Sequence, residues 1–397
     1  MVGLGLLLLP AVPLRGAKVS VPAGTRLYVR LETPISTKTS HLRQEVRARI
    51  VRTVAGPEGT LIPLGAEIEG KLEKLIPSSA PTDRAQVRIR FDRLNLPDKA
   101  SAGFSGPVAE VDNAREKVLP DGTIEGVLAS ELPGSRLDDA IAKMGSDAGE
   151  LQKAKERALG KSDTSIDYPA GTDLVLVLDK PLALEATASA VDAPSVSAAI
   201  SDAVKGLLAE APQRAAGKDG RPGDPLNLVV VGNAKAIREA FKAAGWSEAE
   251  KMTPNSVWET IRAVANQRGY GAAPVSQLYL FGRPEDLAFE KMLNTFLKRH
   301  HLRLWRSPVT TPDGREIWLG AATHDTGLDI RPGVVSHAID PSLDAEREKV
   351  GSDLLVSGHV LAELLTTRPN PLSEGLTATG APWKTDGRLL LLELKTQ

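Results

Sequence analysis

The sequence contains no cysteine and carries almost no net charge. Cysteine is absent from all 397 residues, which excludes disulfides, thiolate nucleophiles and thiolate metal sites, and leaves histidine and carboxylate side chains as metal ligands. The 49 basic and 50 acidic residues nearly cancel. No global field therefore attracts nucleic acid, and we expect no nucleic-acid partner.

Long apolar runs are also missing, apart from a short one at the start of the sequence. The segment MVGLGLLLLPAVPLRGA at 1–17 has a run about as long as the apolar region of a signal peptide, and it is too short to span a bilayer. Although the usual basic region does not precede it, we interpret 1–17 as an export signal. This predicts a periplasmic or secreted protein.

An internal repeat marks the first predicted domain. VPAGTRLYVRLETPI at 21–35 and YPAGTDLVLVLDKPL at 168–182 share a Pro-Ala-Gly-Thr turn that leads into a strand, and IPLGAEIEGKL at 62–72 is a shorter copy. In each copy apolar residues alternate with polar ones, as in a strand with one buried face. The copies predict an antiparallel barrel or sandwich over 18–186. A polar stretch at 134–160 is predicted to be a helical insertion.

This pattern resembles the outer-membrane barrel domain of conjugative transfer channels, the TrbI-like fold. The residues that carry the resemblance are Pro22–Thr25 with the strand after them, and Ile62-Pro63 with Gly65 and Gly70. The resemblance covers 18–185 and implies an envelope scaffold rather than an enzyme.

A segment rich in Ala, Ser, Pro and Gly at 187–224 predicts a flexible linker. Within it, apolar residues recur at helical spacing, so we expect one short amphipathic helix. These residues are Ile200, Val204, Leu207 and Leu208.

The second predicted domain covers 225–397 and mixes strands with helices. It begins with LNLVVVG at 226–232, an unbroken apolar run suited to a strand buried on both faces, and Asn233 follows as a helix N-cap. Later segments predict an α+β fold with a mixed or antiparallel sheet. A single glycine, Gly232, does not make the three-glycine fingerprint of a dinucleotide site, so we expect no cofactor.

Several separated motifs in this half resemble the C-terminal domain of LssY-type proteins. They are LYLFGRPEDLAFE (278–290), HHLRLW (300–305), WLGAATHD (318–325), HAIDPSLDAERE (337–348) and the terminal TDGRLLLLEL. In this family the domain often follows membrane segments related to lipid-phosphate phosphatases. The resemblance covers 226–397, and it names a domain without implying a reaction.

The stretch 298–347 carries the predicted site, because it holds four of the chain's 6 histidines. These are His300, His301, His324 and His337. If the strands on either side of Pro312-Asp313-Gly314 pair as a hairpin, we expect His301 and His324 to converge on one face, with His337 joining them from the next loop. His301, His324 and His337 are therefore the candidate catalytic residues.

A metal site made of His301, His324 and Asp340 is one interpretation, because two histidines and a carboxylate form a common ligand set. Against it, no two histidines have the spacing that supplies two ligands from one element. The alternative is that His301 and His324 are ordinary sheet residues bound to backbone groups.

The helix after Asp340 offers a second reason for the acidic residues in this stretch. Asp340 is expected to cap that helix rather than to bind metal. Asp344 and Arg347 are three residues apart and should form an ion pair. Glu346 is expected to be solvated.

A binding site for an anion is another interpretation. Lys298, Arg299, His301, Arg303 and Arg306 make a basic edge, and their donors suit a phosphate or carboxylate group. The neighbours of the domain in the family favour a ligand like a lipid headgroup. The alternative is a charged sheet edge that only keeps the protein soluble.

Small residues at Gly320, Ala321 and Ala322 leave room for a helix or a ligand to approach the backbone. We predict a water-filled pocket there, bounded by the nearby histidines and Arg303. The full set of predicted ligand-binding residues is Lys298, Arg299, His301, Arg303, Trp305, Trp318, His324, Asp325, His337, Asp340 and Arg347.

Two functions remain open from the sequence. The first is a non-enzymatic, extracytoplasmic binding or scaffold protein, whose partners are envelope proteins or an anionic small ligand, and which associates peripherally with a membrane. The second is a histidine-dependent hydrolase or phosphatase, with or without a metal. The two differ in whether the histidines meet in a pocket.

Overall fold

β-Strand is the main secondary structure in the computed structural model of this protein. The described residues are 18–56, 59–80, 82–97, 100–132, 163–185, 195–249, 278–295, 298–331 and 334–395. The predicted export signal and the predicted helical insertion at 134–160 lie outside these residues. Within them, no helix is long and apolar enough to cross a membrane.

The barrel half, residues 18–185, consists of strands and one 3-10 turn (Ala129–Glu131) in its described part. The strands are β1 (Lys18–Val21), β2 (Arg26–Leu31), β3 (Ile35–Ser36), β4 (Glu45–Ile50), β5 (Val54–Gly56), β6 (Gly59–Ile62), β7 (Glu67–Ile76), β8 (Gln86–Asn95), β9 (Ser101–Gly103), β10 (Val108–Val111), β11 (Lys117–Val118), β12 (Thr123–Glu125), β13 (Asp167–Tyr168), β14 (Asp173–Val177) and β15 (Leu182–Glu185).

Nine of these strands build one antiparallel sheet that curls into a nearly closed barrel. Their order is β10-β14-β2-β4-β7-β8-β12-β11, with β9 beside β8. The end strands β10 and β11 lie against each other. In β2, Leu27, Val29 and Leu31 are buried and the residues between them are more exposed, as the alternating sequence predicts. The predicted all-β antiparallel architecture is confirmed.

The sequence repeat corresponds to two neighbouring strands. The two Pro-Ala-Gly-Thr turns lead into β2 and β14, which pair antiparallel. Each turn bonds to the far end of the other copy: Gly24 N–H donates to the Leu178 carbonyl at 2.7 Å, and Gly171 N–H donates to the Leu31 carbonyl at 2.8 Å. Both glycines have positive φ, 84° and 96°, which glycine adopts without steric cost.

The C-terminal half, residues 195–395, combines strands with three described helices. The helices are α1 (Ala198–Glu210), α2 (Ala234–Ala243) and α3 (Leu343–Val356). The strands are β16 (Arg214–Gly217), β17 (Pro222–Pro225), β18 (Leu228–Val231), β19 (Ser247–Glu248), β20 (Leu278–Leu280), β21 (Arg283–Pro284), β22 (Leu287–Lys291), β23 (Arg299–Thr310), β24 (Glu316–Arg331), β25 (Val334–Ile339), β26 (Val360–Thr366), β27 (Glu374–Leu376), β28 (Pro382–Lys384) and β29 (Leu389–Leu394).

The main sheet of this half is mixed, and helices cover its two faces. Its order is β19-β22-β23-β24-β18-β29-β26, with β25 beside β24. Strands β18 and β29 run parallel. Helices α2 and α3 pack on one face, while α1 and the small sheet of β16 and β20 pack on the other. The predicted α+β fold is confirmed.

Two predictions made from the local sequence at the start of this sheet are also confirmed. β18 is buried along its whole length, as its unbroken apolar run predicts. Asn233 caps α2, because its side-chain oxygen accepts the Ala236 N–H at 2.8 Å.

Much of the segment predicted to be a linker belongs to the C-terminal core. Helix α1 is the predicted amphipathic helix, and its residues Ile200, Val204 and Leu208 share one apolar cluster with Trp305 of the sheet. β16 and β17 then form a hairpin that pairs with β20. From residue 195 onward the segment is folded rather than a free linker, because the apolar face of α1 is stable only when it is buried.

Candidate functional site between the two halves

The register of the β23–β24 hairpin decides which histidines meet. His300 stands opposite His324, and His301 stands opposite Thr323. Directly opposed residues in an antiparallel pair lie on the same face of the sheet. The expected convergence of His301 with His324 is therefore wrong, and His300 is the partner of His324.

His300 is buried between two carboxylates. Its Nδ1 lies 2.7 Å from Glu346 Oε2 on α3, and its Nε2 lies 2.9 Å from Asp112 Oδ2 of the barrel half. Burial favours the neutral ring, but the two carboxylates outweigh this effect and raise the pKa of His300 to about 10. At neutral pH the ring is an imidazolium that donates one proton to each carboxylate.

His324 stacks on His300. The ring centroids are 4.2 Å apart, with an angle of 26° between the planes. Burial, followed by the positive charge of His300, lowers the pKa of His324. His324 Nε2 lies 2.9 Å from Asn113 Oδ1. The Asn113 amide donates in turn to the Lys291 carbonyl at 3.1 Å, which fixes its orientation.

One turn of the barrel half supplies Asp112 and Asn113, the partners of the two histidines from that half. Residues 112–116, which we call the docking turn, connect β10 to β11 and reach the C-terminal half. Arg115 N–H donates to Asn294 Oδ1 at 3.0 Å, and the Asn294 amide donates to Glu116 Oε2 at 2.7 Å. Asn113 has a φ of 56°, a left-handed conformation in which asparagine is enriched. The docking turn is thus held by hydrogen bonds in both directions.

A buried ionic cluster adjoins the histidine pair. Arg30 binds Asp173 through two bonds of 2.7 and 3.0 Å and Asp353 through one of 2.7 Å. Lys291 Nζ lies 2.8 Å from Asp173 and 3.0 Å from Asp353. Lys349 Nζ lies 2.8 Å from both carboxylates. We call these five residues the interface cluster.

The interface cluster joins the two halves. Arg30 and Asp173 belong to the barrel, and the other three residues belong to the C-terminal half. The side chain of Asp353 is 0% exposed, and it also accepts the Trp246 Nε1–H at 2.9 Å. Removal of one partner from a buried ion pair leaves an uncompensated charge and typically costs about 3–5 kcal/mol.

The members of the interface cluster keep each other ionised. Burial acts to raise the pKa values of Asp173 and Asp353, but Lys349, Lys291 and Arg30 hold them below their usual range. Burial acts to lower the pKa of Lys349, but Asp173 and Asp353 raise it. Lys291 differs, because burial and repulsion by Lys349 lower its pKa.

Helix α3 presents charged residues to this contact. Glu346, Lys349 and Asp353 lie three and four positions apart, so they share one side of the helix. Glu346 is 3% exposed, and the expectation that it is solvated is therefore wrong. Its Oε2 contacts the buried His300 ring, and the neighbouring Lys349 and Asp353 contact Asp173 and Arg30 of the barrel half.

His301 lies on the opposite face of the sheet. Its Nε2 is 3.1 Å from Asp325 Oδ1 and 3.0 Å from Thr323 Oγ1, and the Arg303 guanidinium lies 3.5 Å from its Nδ1. These partners come from its own strand and the adjacent one. His301 is thus a sheet histidine bound to its neighbours, although to side chains rather than to the backbone.

The predicted anion-binding edge is already neutralised by the protein. An incoming phosphate would have to displace existing partners from each basic side chain. The pairs are Arg299 with Asp325 and with Glu290 (both 3.1 Å), Arg303 with Asp224 (3.3 Å), Arg306 with Glu316 (3.1 Å), and Lys298 with the Ala114 carbonyl (2.9 Å).

Arg347 and Asp340 have structural roles. Arg347 is 1% exposed and binds Asp344 at 2.9 Å, as predicted, and Asp386 at 2.7 Å. Asp340 accepts the Ser342 N–H at 2.8 Å. Because Ser342 occupies the N-cap position of α3, the prediction that Asp340 is the cap is wrong, and its carboxylate instead closes the turn before the helix.

The small residues of β24 make room for packing. A Cβ on Gly320 would lie 2.8 Å from Leu304 Cδ2 and 3.1 Å from Leu228 Cβ, so these side chains fill the depression. Trp318 is buried beside it and donates its Nε1–H to the Gly232 carbonyl at 2.9 Å. The depression is therefore part of the core.

The other predicted pocket residues are not on one face. His301 and Arg303 lie on the α1 side of the sheet, where Trp305 is fully buried, whereas His324 lies on the α3 side. The backbone of His337 is in β25 opposite Leu328, and its side chain is outside the described residues. These positions cannot bound one pocket as predicted.

The sequence interpretation missed the residues that converge at the contact. These are Arg30, Asp112, Asp173, Lys291, Lys349 and Asp353. The one local signal was the charged inner side of α3, and its partners are remote: Arg30 and Asp353 are 323 positions apart.

The fold and this contact define a two-part, β-rich protein whose halves meet through buried charged groups. Residues 208–389 match the family model described as LssY C-terminus, which confirms the resemblance of the C-terminal half. Among solved structures, the chain is similar to ComB10 of the Com Type IV secretion system of Helicobacter pylori, with 12% identity and a TM-score of 0.23, over 41% of this chain and 88% of that one. No curated protein matches the sequence.

Proposed function

We propose that this protein is a non-enzymatic scaffold of the cell envelope, in which the barrel half and the LssY-like half act as one rigid unit. The observation that carries this proposal is the interface cluster. Its five charged side chains are largely buried and bind each other across the two halves. Such a contact resists relative motion, because separation of the halves exposes or strands each charge.

The hydrolase alternative loses its geometric basis. It required His301, His324 and His337 to act together, but His301 and His324 lie on opposite faces of the sheet. A general base must lie within hydrogen-bonding reach of the group that it deprotonates. His301 and His324 cannot serve the same substrate atom.

The proposed partner is an envelope protein rather than a small anion. The basic edge expected to hold an anion is already paired with Asp325, Glu290 and Asp224. A phosphate would compete with carboxylates that are preorganised and partly buried. A protein partner needs no free cationic pocket, because it binds through surface complementarity.

A periplasmic or secreted location, with peripheral membrane association, is part of the proposal. The apolar run within 1–17 and the absence of cysteine support export. Fractionation of native cells should find the protein outside the cytoplasm, and mass spectrometry should show a mature chain that begins near residues 16–20. An intact Met1 in the cytosolic fraction would overturn this part.

The rigid-unit part is tested by cutting the chain between its halves. A protease site is placed within 186–194, and the purified protein is cleaved there. We expect the two fragments to elute together in gel filtration, and an Asp353→Asn variant to release them. Separation of the wild-type fragments would show that the contact does not hold the halves together.

A further inference from the structure

We propose that Asp112, His300 and His324 form a binding site for a divalent transition-metal ion at the contact between the two halves. One ligand atom from each residue lies within 4.8 Å of the others. Two imidazole nitrogens and one carboxylate oxygen suit zinc and its neighbours, whereas calcium and magnesium prefer oxygen ligands. Since the barrel half supplies Asp112 and the C-terminal half both histidines, the site is complete only when the halves are docked.

The ligand atoms point toward the same turn. His300 Nε2 faces Asp112, and His324 Nε2 faces Asn113, the next residue along the docking turn. The two rings are stacked, and one nitrogen of each ring belongs to the group of ligand atoms that lie within 4.8 Å of one another. A metal ion between these nitrogens and Asp112 needs ligand distances of about 2.0–2.2 Å. Metal binding therefore requires the three ligand atoms to move closer together than they lie here, and it requires His324 Nε2 to give up its hydrogen bond to Asn113.

Glu346 supplies the support that metal-bound histidines usually have. Its Oε2 lies 2.7 Å from His300 Nδ1, on the side of the ring away from Asp112. Once Nε2 has lost its proton, a carboxylate at this position keeps the remaining proton on Nδ1 and makes the ring a stronger ligand. The contact with Glu346 therefore persists when the metal binds.

The charge balance of the contact accommodates a cation at His300. Four carboxylates meet here, those of Asp112, Glu346, Asp173 and Asp353, against the three basic residues of the interface cluster. The basic residues bind Asp173 and Asp353 most closely, at 2.7–3.0 Å, whereas the Asp112 carboxylate, within the described part of the chain, has only a 3.9 Å contact with Lys349 besides His300. Glu346 Oε1 is also buried, with no hydrogen-bond partner among the described residues, which is unusual.

Two kinds of cation fit this charge balance. A proton on His300 does so in the geometry described above. A metal ion does so when the Nε2 proton of His300 is released to solvent and the proton that His324 Nε2 donates to Asn113 Oδ1 moves to Nδ1 of the same ring. The metal also bonds His324, which a proton on His300 cannot do. Loss of His324 therefore distinguishes the two occupants.

The test is direct zinc binding to the full chain after treatment with a chelator. We expect about one zinc ion per chain by calorimetry and elemental analysis, with no comparable binding of magnesium. His324→Ala should reduce zinc affinity by at least about 100-fold, and Glu346→Gln by about 10–100-fold. His301→Ala is the matched control, because this histidine lies on the other face of the same strand.

His324→Ala leaves no charge unpaired, but it removes the stack on His300 and the hydrogen bond to Asn113, so the fold of the variant must be checked. Circular dichroism and thermal unfolding of the metal-free variant check this. The proposal is overturned if the wild type binds no stoichiometric zinc, or if His324→Ala binds zinc as tightly as His301→Ala. Either result leaves the scaffold proposal intact, because co-elution of the cleaved halves is measured without metal.

Discussion

His300 and His301 are neighbours in β23, yet their environments differ. His300 is 4% exposed and bound by carboxylates of both halves of the protein. His301 is partly exposed and is bound by Thr323 and Asp325 of the adjacent strand. The difference shows that the role of a residue in this sheet depends on what covers its face. The barrel half contacts the face that carries His300, whereas elements of the C-terminal half itself cover the face that carries His301.

The largest effect is expected from Asp353→Asn. Loss of this buried carboxylate leaves Arg30, Lys291 and Lys349 with a single anion, and the free energy of unfolding should fall by about 3–5 kcal/mol. Urea denaturation measures it. Glu348→Gln on the same helix is the control: its side chain is 54% exposed, so its effect should stay below about 1 kcal/mol. Equal effects of the two variants would contradict the role of the cluster.

The second prediction compares the two neighbouring histidines directly. His300→Ala leaves Asp112 and Glu346 buried without their shared partner, and should lower the free energy of unfolding by about 3 kcal/mol. His301→Ala removes contacts to a partly exposed ring and should cost about 1 kcal/mol or less. Measured in metal-free buffer, similar losses for both would show that the faces are not distinct.

The third prediction concerns the packing of β24. Gly320→Ala places a methyl group 2.8 Å from Leu304, and the strain should cost about 1–3 kcal/mol. Gly327→Ala in the same strand is the matched control, since no atom lies within 4 Å of its added Cβ. Thermal unfolding of both variants measures the difference. An unchanged Gly320→Ala would revive the idea of an open depression.

The smallest effect is a pH dependence on the far side of α3. Burial acts to raise the pKa of Asp386, but hydrogen bonds from Arg347 and the Arg388 N–H hold it below its usual range. A depressed carboxylate pKa stabilises the fold above the unfolded value of about 4 and loses this contribution as the pH falls. Lowering the pH from about 5 to about 3 should therefore reduce the stability of the wild type more than that of Asp386→Asn. Equal losses in urea denaturation would exclude the contribution.

The sequence predicted those elements whose signals are local. The Pro-Ala-Gly-Thr copies, the apolar strand β18 and the Asn233 cap each depend on a few neighbouring residues. The pairing of His300 with His324 could also have been predicted from the sequence. In a hairpin whose turn is centred on Asp313, even-numbered residues of one strand stand opposite even-numbered residues of the other, as Thr310 stands opposite Glu316. A register shift of two residues leaves this rule unchanged, so His300 and His324 still lie on the same face of the sheet.

The interface cluster could not be predicted from the sequence, for a physical reason. Charged residues on one side of a helix normally indicate a solvated face, and only the barrel half changes that meaning for Glu346, Lys349 and Asp353. The barrel half contributes Arg30, Asp112 and Asp173 to the contact, and all three are remote from α3 in the sequence. Nothing in one chain segment specifies which distant charge completes a buried pair.

The scaffold proposal requires that the two halves unfold together. Differential scanning calorimetry of the metal-free wild type should show one cooperative transition, because the halves cannot unfold separately without stranding the interface cluster. Asp353→Asn should split this transition into two. Two independent transitions in the wild type, or an unsplit transition at an unchanged temperature in the variant, would contradict the account.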